Sequence, residues 1–228
     1  MIKKDTFVKL NSDCFKNANK KQAELYFNLN VFELKMVLVM LAHANKINTI
    51  NKNKELSVKF KIELDNMRKK ESLLNVFKLS KKEFAEKISE IRHPYFEQII
   101  VSQTGENNIV IEFVLKRSYV LEMNTAKTGF VKLEGIMSYK SISKIKMHIQ
   151  LSYFSNYRMP FNFAINFLDI SKKQARKDQI RSIKSIFKGL KIENDCEYIF
   201  PKPREPKDNL HYNFLIKTKK SHTDDVYF

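Results

Sequence analysis

The clearest periodic signal along the chain is a strict alternation. In ELSVKFKIEL, Leu56, Val58, Phe60, Ile62 and Leu64 fall on one face, with mostly polar residues on the other. A two-residue period predicts a half-buried strand. Just upstream the pattern changes. VFELKMVLVMLAHAN (Val31–Asn45) is apolar almost all round, through Leu34, Met36, Val37, Leu38, Val39, Met40 and Leu41. That predicts a buried helix with Asn30 as its N-cap. SKKEFAEKISEI (Ser80–Ile91) places Glu83 three residues after Ser80, the spacing of a capping box, and its core face is Phe84, Ile88 and Ile91. YFEQIIVSQTGENNIVIEFVLK then reads as two apolar strands around Thr104-Gly105-Glu106-Asn107, a hairpin. An extended segment at Phe7–Leu10 opens the chain.

The second half repeats this order. SYKSISKIKMHIQLSYFSN (Ser138–Asn156) predicts a helix packed through Ile142, Ile145, Met147, Ile149 and Tyr153. FNFAINFLDI (Phe161–Ile170) predicts a short helix with Pro160 near its start. CEYIF (Cys196–Phe200) and LHYNFLIK (Leu210–Lys217) are expected as strands joined by the basic, proline-rich tip PKPREPKDN. Helices followed by a hairpin form a winged helix-turn-helix pattern. The expected fold class is therefore α+β, two tandem winged helix-turn-helix domains, each with helices and a β-hairpin wing. Two of the four glycines gather in NTAKTGFVKLEG (Asn124–Gly135), which sets the expected domains at 1–125 and 126–228. The repetition is one of architecture, with no convincing identity between the halves. The tail SHTDDVYF is short and polar.

Between the short helix and the last hairpin lies SKKQARKDQIRSIKSIFKGLKI. Wound as a helix from Ser171, with Ser171 or Asp169 as its cap, it puts Lys173, Lys177, Arg181, Lys184 and Lys188 within roughly 80° of one another. Ile180, Ile183, Phe187, Ile186 and Leu190 lie opposite. Lys173/Lys177/Arg181 and Lys184/Lys188 are like-charge neighbours at i,i+4, each costing an isolated helix a few tenths of a kcal/mol. Asp178 is the one acid in the segment. A solvated face normally intersperses acids, so a polyanion is the simplest partner that repays this arrangement.

Composition agrees in sign. The chain has 228 residues, a formal net charge of +17 and 43% hydrophobic residues, so it is a globular protein rather than a basic tail. Lysine outnumbers arginine and Asn and Ile are abundant, as an AT-rich genome would produce without selection for charge. The clustering is better evidence than the total. Cys14 and Cys196 are far apart and form no ligand set, the N-terminus has no signal-peptide core, and VLVML at 37–41 is too short to span a bilayer. A cytoplasmic protein with free thiols and no membrane partner is expected.

Catalytic patterns are not found. His43, His93, His148, His211 and His222 are scattered, without HxH or HExxH spacing, so no metal is expected. No Gly-rich phosphate loop occurs. Glu112 and Lys116 stand as E-x-x-x-K rather than the E-x-K of metal-dependent nucleases, and Tyr139, Tyr153 and Tyr157 have no paired histidines to serve a nicking nucleophile. The expectation is a binding protein, not an enzyme, without cofactors.

Four segments resemble the plasmid replication initiator (Rep) family that binds iterons, the short repeats of plasmid origins. FNLNVFELKMVLVMLAHAN resembles the family's long opening helix, and FKLSKKEFAEKI its entry into the first helix-turn-helix. SYKSISKIKMHIQLSYFSN is similar to the helix that starts the second winged domain, and KDQIRSIKSIFKGLKIEND to its recognition helix. The resemblance covers roughly residues 7 to 217 through degenerate pieces. It implies binding to double-stranded origin repeats, recruitment of host replication proteins such as an initiator or helicase, and a homodimer alongside the binding monomer.

On this reading the cationic helix enters the major groove. Arg181, then Arg176, suits a guanine edge and Gln174 an adenine; Lys173, Lys177, Lys184 and Lys188 suit phosphates. Lys202, Arg204 and Lys207 on the second wing tip are placed for an adjacent groove or backbone. Two alternatives remain: a winged-helix transcriptional regulator, and a non-specific basic RNA- or single-strand-binding protein.

Overall fold

In the computed structural model, which describes residues 6–17, 19–50, 55–64, 72–104, 108–154, 156–190, 196–199 and 213–218, small antiparallel sheets alternate with helices. The architecture is mixed α+β. The chain divides into two units, Met1–Ser138 and Tyr139–Phe228.

The first unit runs β1 (Phe7–Asn11), a 3₁₀ turn (Ser12–Phe15), α1 (Lys20–Leu25), α2 (Val31–Ile50), β2 (Lys59–Glu63), a second 3₁₀ turn (Leu73–Val76), α3 (Lys81–Ser89), β3 (Phe96–Thr104), β4 (Asn108–Leu115), α4 (Arg117–Thr125), β5 (Thr128–Lys132) and α5 (Leu133–Met137). Helix α2 is its centre, and every residue from Leu34 to Ala42 is buried. Asn30 caps it as the sequence predicts: the Glu33 backbone N–H donates to Asn30 Oδ1 at 3.0 Å, and the Asn30 N–H donates to Glu33 Oε2 at 2.7 Å. Helix α3 carries the expected box between Ser80 and Glu83, which removes two of the donors a helix start leaves unsatisfied.

The alternating segment forms β2. It pairs with β4 so that Phe60 faces Phe113 and Ile62 faces Ile111, all four buried. Phe113 packs its ring 5.3 Å from Phe60 and 5.7 Å from Phe96. These cross-strand apolar pairs are what fixes register. The sheet order is β2-β4-β3, with a bulge between Phe96 and Gln98.

The domain boundary differs from the sequence expectation. Segment 126–138 belongs to the first unit, because β5 pairs with β1 from Phe7↔Lys132 to Asn11↔Thr128. Hydrogen bonds from Ser12 N–H to the Lys127 carbonyl (2.8 Å) and from Leu133 N–H to the Thr6 carbonyl (3.0 Å) close its ends. The division therefore falls after Ser138, not after residue 125. The glycine-bearing stretch is a strand return rather than a linker.

The second unit runs α6 (Ile142–Tyr153), β6 (Asn156–Pro160), α7 (Phe161–Phe167), α8 (Arg176–Lys188), β7 (Cys196–Ile199) and β8 (Asn213–Thr218). Its sheet order is β6-β8-β7, all antiparallel. The first and last sequential strands of this sheet are neighbours, and the same is true of β2 and β4 in the first unit. Its core gathers Ile145, Met147, Ile149, Met159, Ala164, Ile183 and Phe187.

Candidate nucleic-acid interface

Helix α8 is held to its unit by one face. Ile183 and Phe187 are buried, Ile180, Ile186 and Leu190 half-buried, and Gln179 is buried among them. Burying two such side chains contributes about 1.5–3 kcal/mol each. Measured from Lys177 at about 100° per residue, Lys184, Lys188 and Arg181 fall at roughly 340°, 20° and 40°. All four cations are exposed. They form one stripe about 16 Å long at 1.5 Å per residue.

The helix starts later than the sequence predicts. Residues 171–175 form a turn, and Ala175 occupies the N-cap without a side-chain cap bond. Two features break the helical path. Asp169 adopts φ 55, the left-handed region, and the Ser171 hydroxyl accepts from the Lys173 backbone N–H at 3.3 Å. A serine bonding its local backbone competes with helix formation. Neither Ser171 nor Asp169 is the cap. Lys172, Lys173 and Gln174 therefore sit exposed on the turn that precedes α8, outside its stripe.

That turn is fixed from below. Lys146, buried on α6, donates to the Phe167 carbonyl (3.0 Å) and to Asp169 Oδ2 (2.6 Å), and the Ser143 hydroxyl donates to the Leu168 carbonyl (2.8 Å). These bonds satisfy carbonyls left open at the end of α7, where a cation is also favoured by the helix dipole. On the far side, Gln179 Nε2 donates to the Ser171 carbonyl at 3.1 Å. At the other end of α8 the Lys144 side chain lies against Gly189. The cationic helix thus hangs on α6 and on the turn by specific contacts as well as by apolar burial.

The arginines have different surroundings. Arg176 falls at roughly 260° on the wheel, between Ile183 and Phe187. It is half-buried, with its guanidinium 4.9 Å from the centroid of Phe161. The geometry makes it a brace between α8 and the start of α7. Arg181 is exposed, and its Nη1 donates to Asp178 Oδ1 at 2.7 Å. Lys202, Arg204 and Lys207 lie outside the described residues.

Asp169 was expected as a cap of the helix rather than as a partner of Lys146, and Lys146, Ser143, Gln179 and the Asp178–Arg181 pair were not anticipated as parts of this site. Only the last had a usable signal, its i,i+3 spacing; the others depend on contacts across the fold. Helix α3, which precedes the hairpin in the first unit as α8 does in the second, has a balanced surface. Lys81, Lys82 and Lys87 are matched by Glu83 and Glu86 on the helix and Glu90 at its C-cap, and Lys82 lies 4.0 Å from Glu86.

Among the described residues no group of His, Cys, Asp or Glu is placed to hold a metal, and no helix is long and apolar enough to cross a membrane. The buried Cys14 thiol is pushed up to about 12 by burial, so it stays protonated at neutral pH. No family model matches the chain, and no curated protein matches it.

Proposed function

We propose that the chain is a double-stranded DNA-binding protein built from two tandem winged helices, and that it starts replication of a plasmid by binding the repeats of its origin. The observation that carries this reading is the surface of α8: four exposed cations on one side, two fully buried apolar anchors on the other, and a turn before it held by Lys146 and Gln179. The order helix, strand, helix, turn, helix, hairpin is the winged-helix order, in which the helix after the turn lies in the major groove. The matching sheet orders of the two units support a tandem, and the segments similar to Rep initiators supply the replication role. In this reading the protein binds and recruits host replication proteins rather than catalysing, and the contrast between α3 and α8 gives the second unit the reading role.

A single-strand binder needs exposed aromatic platforms beside its cations. In the second unit none of the aromatic side chains described is exposed; Phe7, Phe27 and Phe130 are exposed, and all belong to the first. The duplex reading is favoured on that ground.

The test is a salt-dependent titration of the full chain against three probes: duplex carrying tandem repeats from the source replicon, scrambled duplex and single strand. A large preference for the repeats, reduced in Arg181→Ala, is expected. Equal affinity for all three, falling steeply with salt, would leave only generic polyanion binding. An operator beside the chain's own gene bound in preference to origin repeats would make it a transcriptional regulator instead.

A further inference from the structure

Asp178 stands where an acid is least expected. It is the one carboxylate between Ser171 and Leu190, it sits beside the cationic stripe, and a carboxylate facing phosphates repels them. Its position in the first turn of α8 favours the helix start. Any Asp or Glu in that turn would serve equally, whether or not an arginine stood three residues on.

What singles Asp178 out is its contact. Its Oδ1 accepts from Arg181 Nη1 at 2.7 Å, with the two side chains 50% and 69% exposed. A guanidinium carries five N–H donors in a rigid planar fork, and the carboxylate engages Nη1 without consuming the rest. Two consequences follow. The contact biases Arg181 toward one geometry and so lowers the rotamer freedom that binding would otherwise have to remove. Its net attraction for phosphate also falls, because a neutralising charge travels with it.

Resting on the reading of α8 as the base-reading helix, we propose that Asp178 is a specificity-determining positioning residue. It holds the Arg181 fork for the O6/N7 edge of a guanine and keeps it from capture by the DNA backbone. This assigns Asp178 opposite effects on two quantities: it lowers affinity for duplex in general and raises discrimination for one guanine. An acid that only starts a helix changes neither in that combination.

The experiment uses the full chain. The wild-type protein first selects duplexes from a randomised pool. The best selected duplex is then remade with each guanine in turn replaced by 7-deazaguanine, which removes the N7 acceptor and leaves pairing intact. Wild type is expected to lose about tenfold or more at one guanine. Arg181→Ala should lose that sensitivity. Asp178→Asn should lose most of it as well, while binding scrambled duplex several-fold more tightly; Asp178→Glu, which keeps the charge, should recover part of it.

Arg181→Lys supplies an independent arm, because it keeps the charge and removes the fork. On that background Asp178→Asn should change discrimination no further. Full 7-deazaguanine sensitivity in Asp178→Asn, with only its melting temperature lowered, overturns the proposal and leaves a helix-start acid. A wild-type chain that selects no sequence removes the base-reading interpretation itself, a result separable from the first because it appears before any variant is made.

Discussion

Lys35 and Lys146 are both lysines drawn into apolar surroundings, and each has a particular carbonyl to satisfy. Lys35, on α2, donates to the Met137 carbonyl at 2.8 Å and lies 5.6 Å from the Phe77 ring centroid. Burial pulls its pKa from 10.5 to about 8. The unfolded chain holds this proton up to about 10.5, so between about 8 and 10.5 the unfolded state binds more protons than the fold. Stability from this residue therefore rises with pH across that window, and below 8 the fold carries the whole penalty of a buried cation. Urea melts of the full chain at about pH 7 and about pH 10 should show wild type gaining on Lys35→Met as pH rises. A constant difference between the two proteins would mean that Lys35 is solvated. Lys146 differs in having a carboxylate partner as well, Asp169, in a left-handed conformation that Asn adopts more readily than Ala. Asp169→Asn should cost only a few tenths of a kcal/mol to about 1 kcal/mol, since that carboxylate is largely exposed. Asp169→Ala should cost about 1 kcal/mol more, from backbone strain. Equal losses would show that the ion pair, not the turn, dominates.

The elements that the sequence made legible are those whose information is local. The all-round apolar run of α2, the Ser80–Glu83 box of α3 and the alternation of β2 each depend on neighbours within one turn or one strand. The strand β6 was not legible, since five residues ending in Pro160 show only Tyr157 and Met159 as an apolar alternation. Nor was β5, whose partner is a strand more than a hundred residues earlier, a fact no local pattern contains. The start of α8 failed for a third reason. The cationic period continues back through Lys173, but the left-handed Asp169 and the Ser171 bond end the helix at Arg176. The exposed cations of α8 were legible from the wheel; the props beneath them, Lys146 and Gln179, were not. The position of β5 has a direct consequence for dissection. A fragment ending at residue 125 leaves β1 without its partner and exposes the buried Val8 and Leu10 edge. Fragment 1–138 should therefore melt cooperatively and stay soluble, whereas 1–125 should be markedly less stable or aggregate. Indistinguishable melting of the two would deny β5 a structural role.

At the scale of the whole molecule, charge and architecture distinguish two units whose three-stranded sheets share a strand order. The first has the long helix α2 with its buried, mostly apolar run from Leu34 to Ala42, a balanced α3 and a second ribbon made by β1 and β5. The second has the cationic α8. If α8 supplies the backbone contacts, fragment 139–228 should keep most of the duplex affinity and nearly all of its salt dependence. Each lysine on the stripe that meets a phosphate adds about 0.9 to the slope of log K against log salt. Lys184→Ala should therefore lower that slope by about 1 in both the fragment and the full chain, and weaken selected and scrambled duplex alike. Arg181→Ala should instead cost about 1–3 kcal/mol on the selected duplex and much less on the scrambled one. The two variants thus separate affinity from reading on a single helix. Should fragment 139–228 fold but bind no more tightly than fragment 1–138, with the Lys184 slope unchanged, the DNA surface would have to be sought in the first unit, where the lysines of α3 stand among as many glutamates.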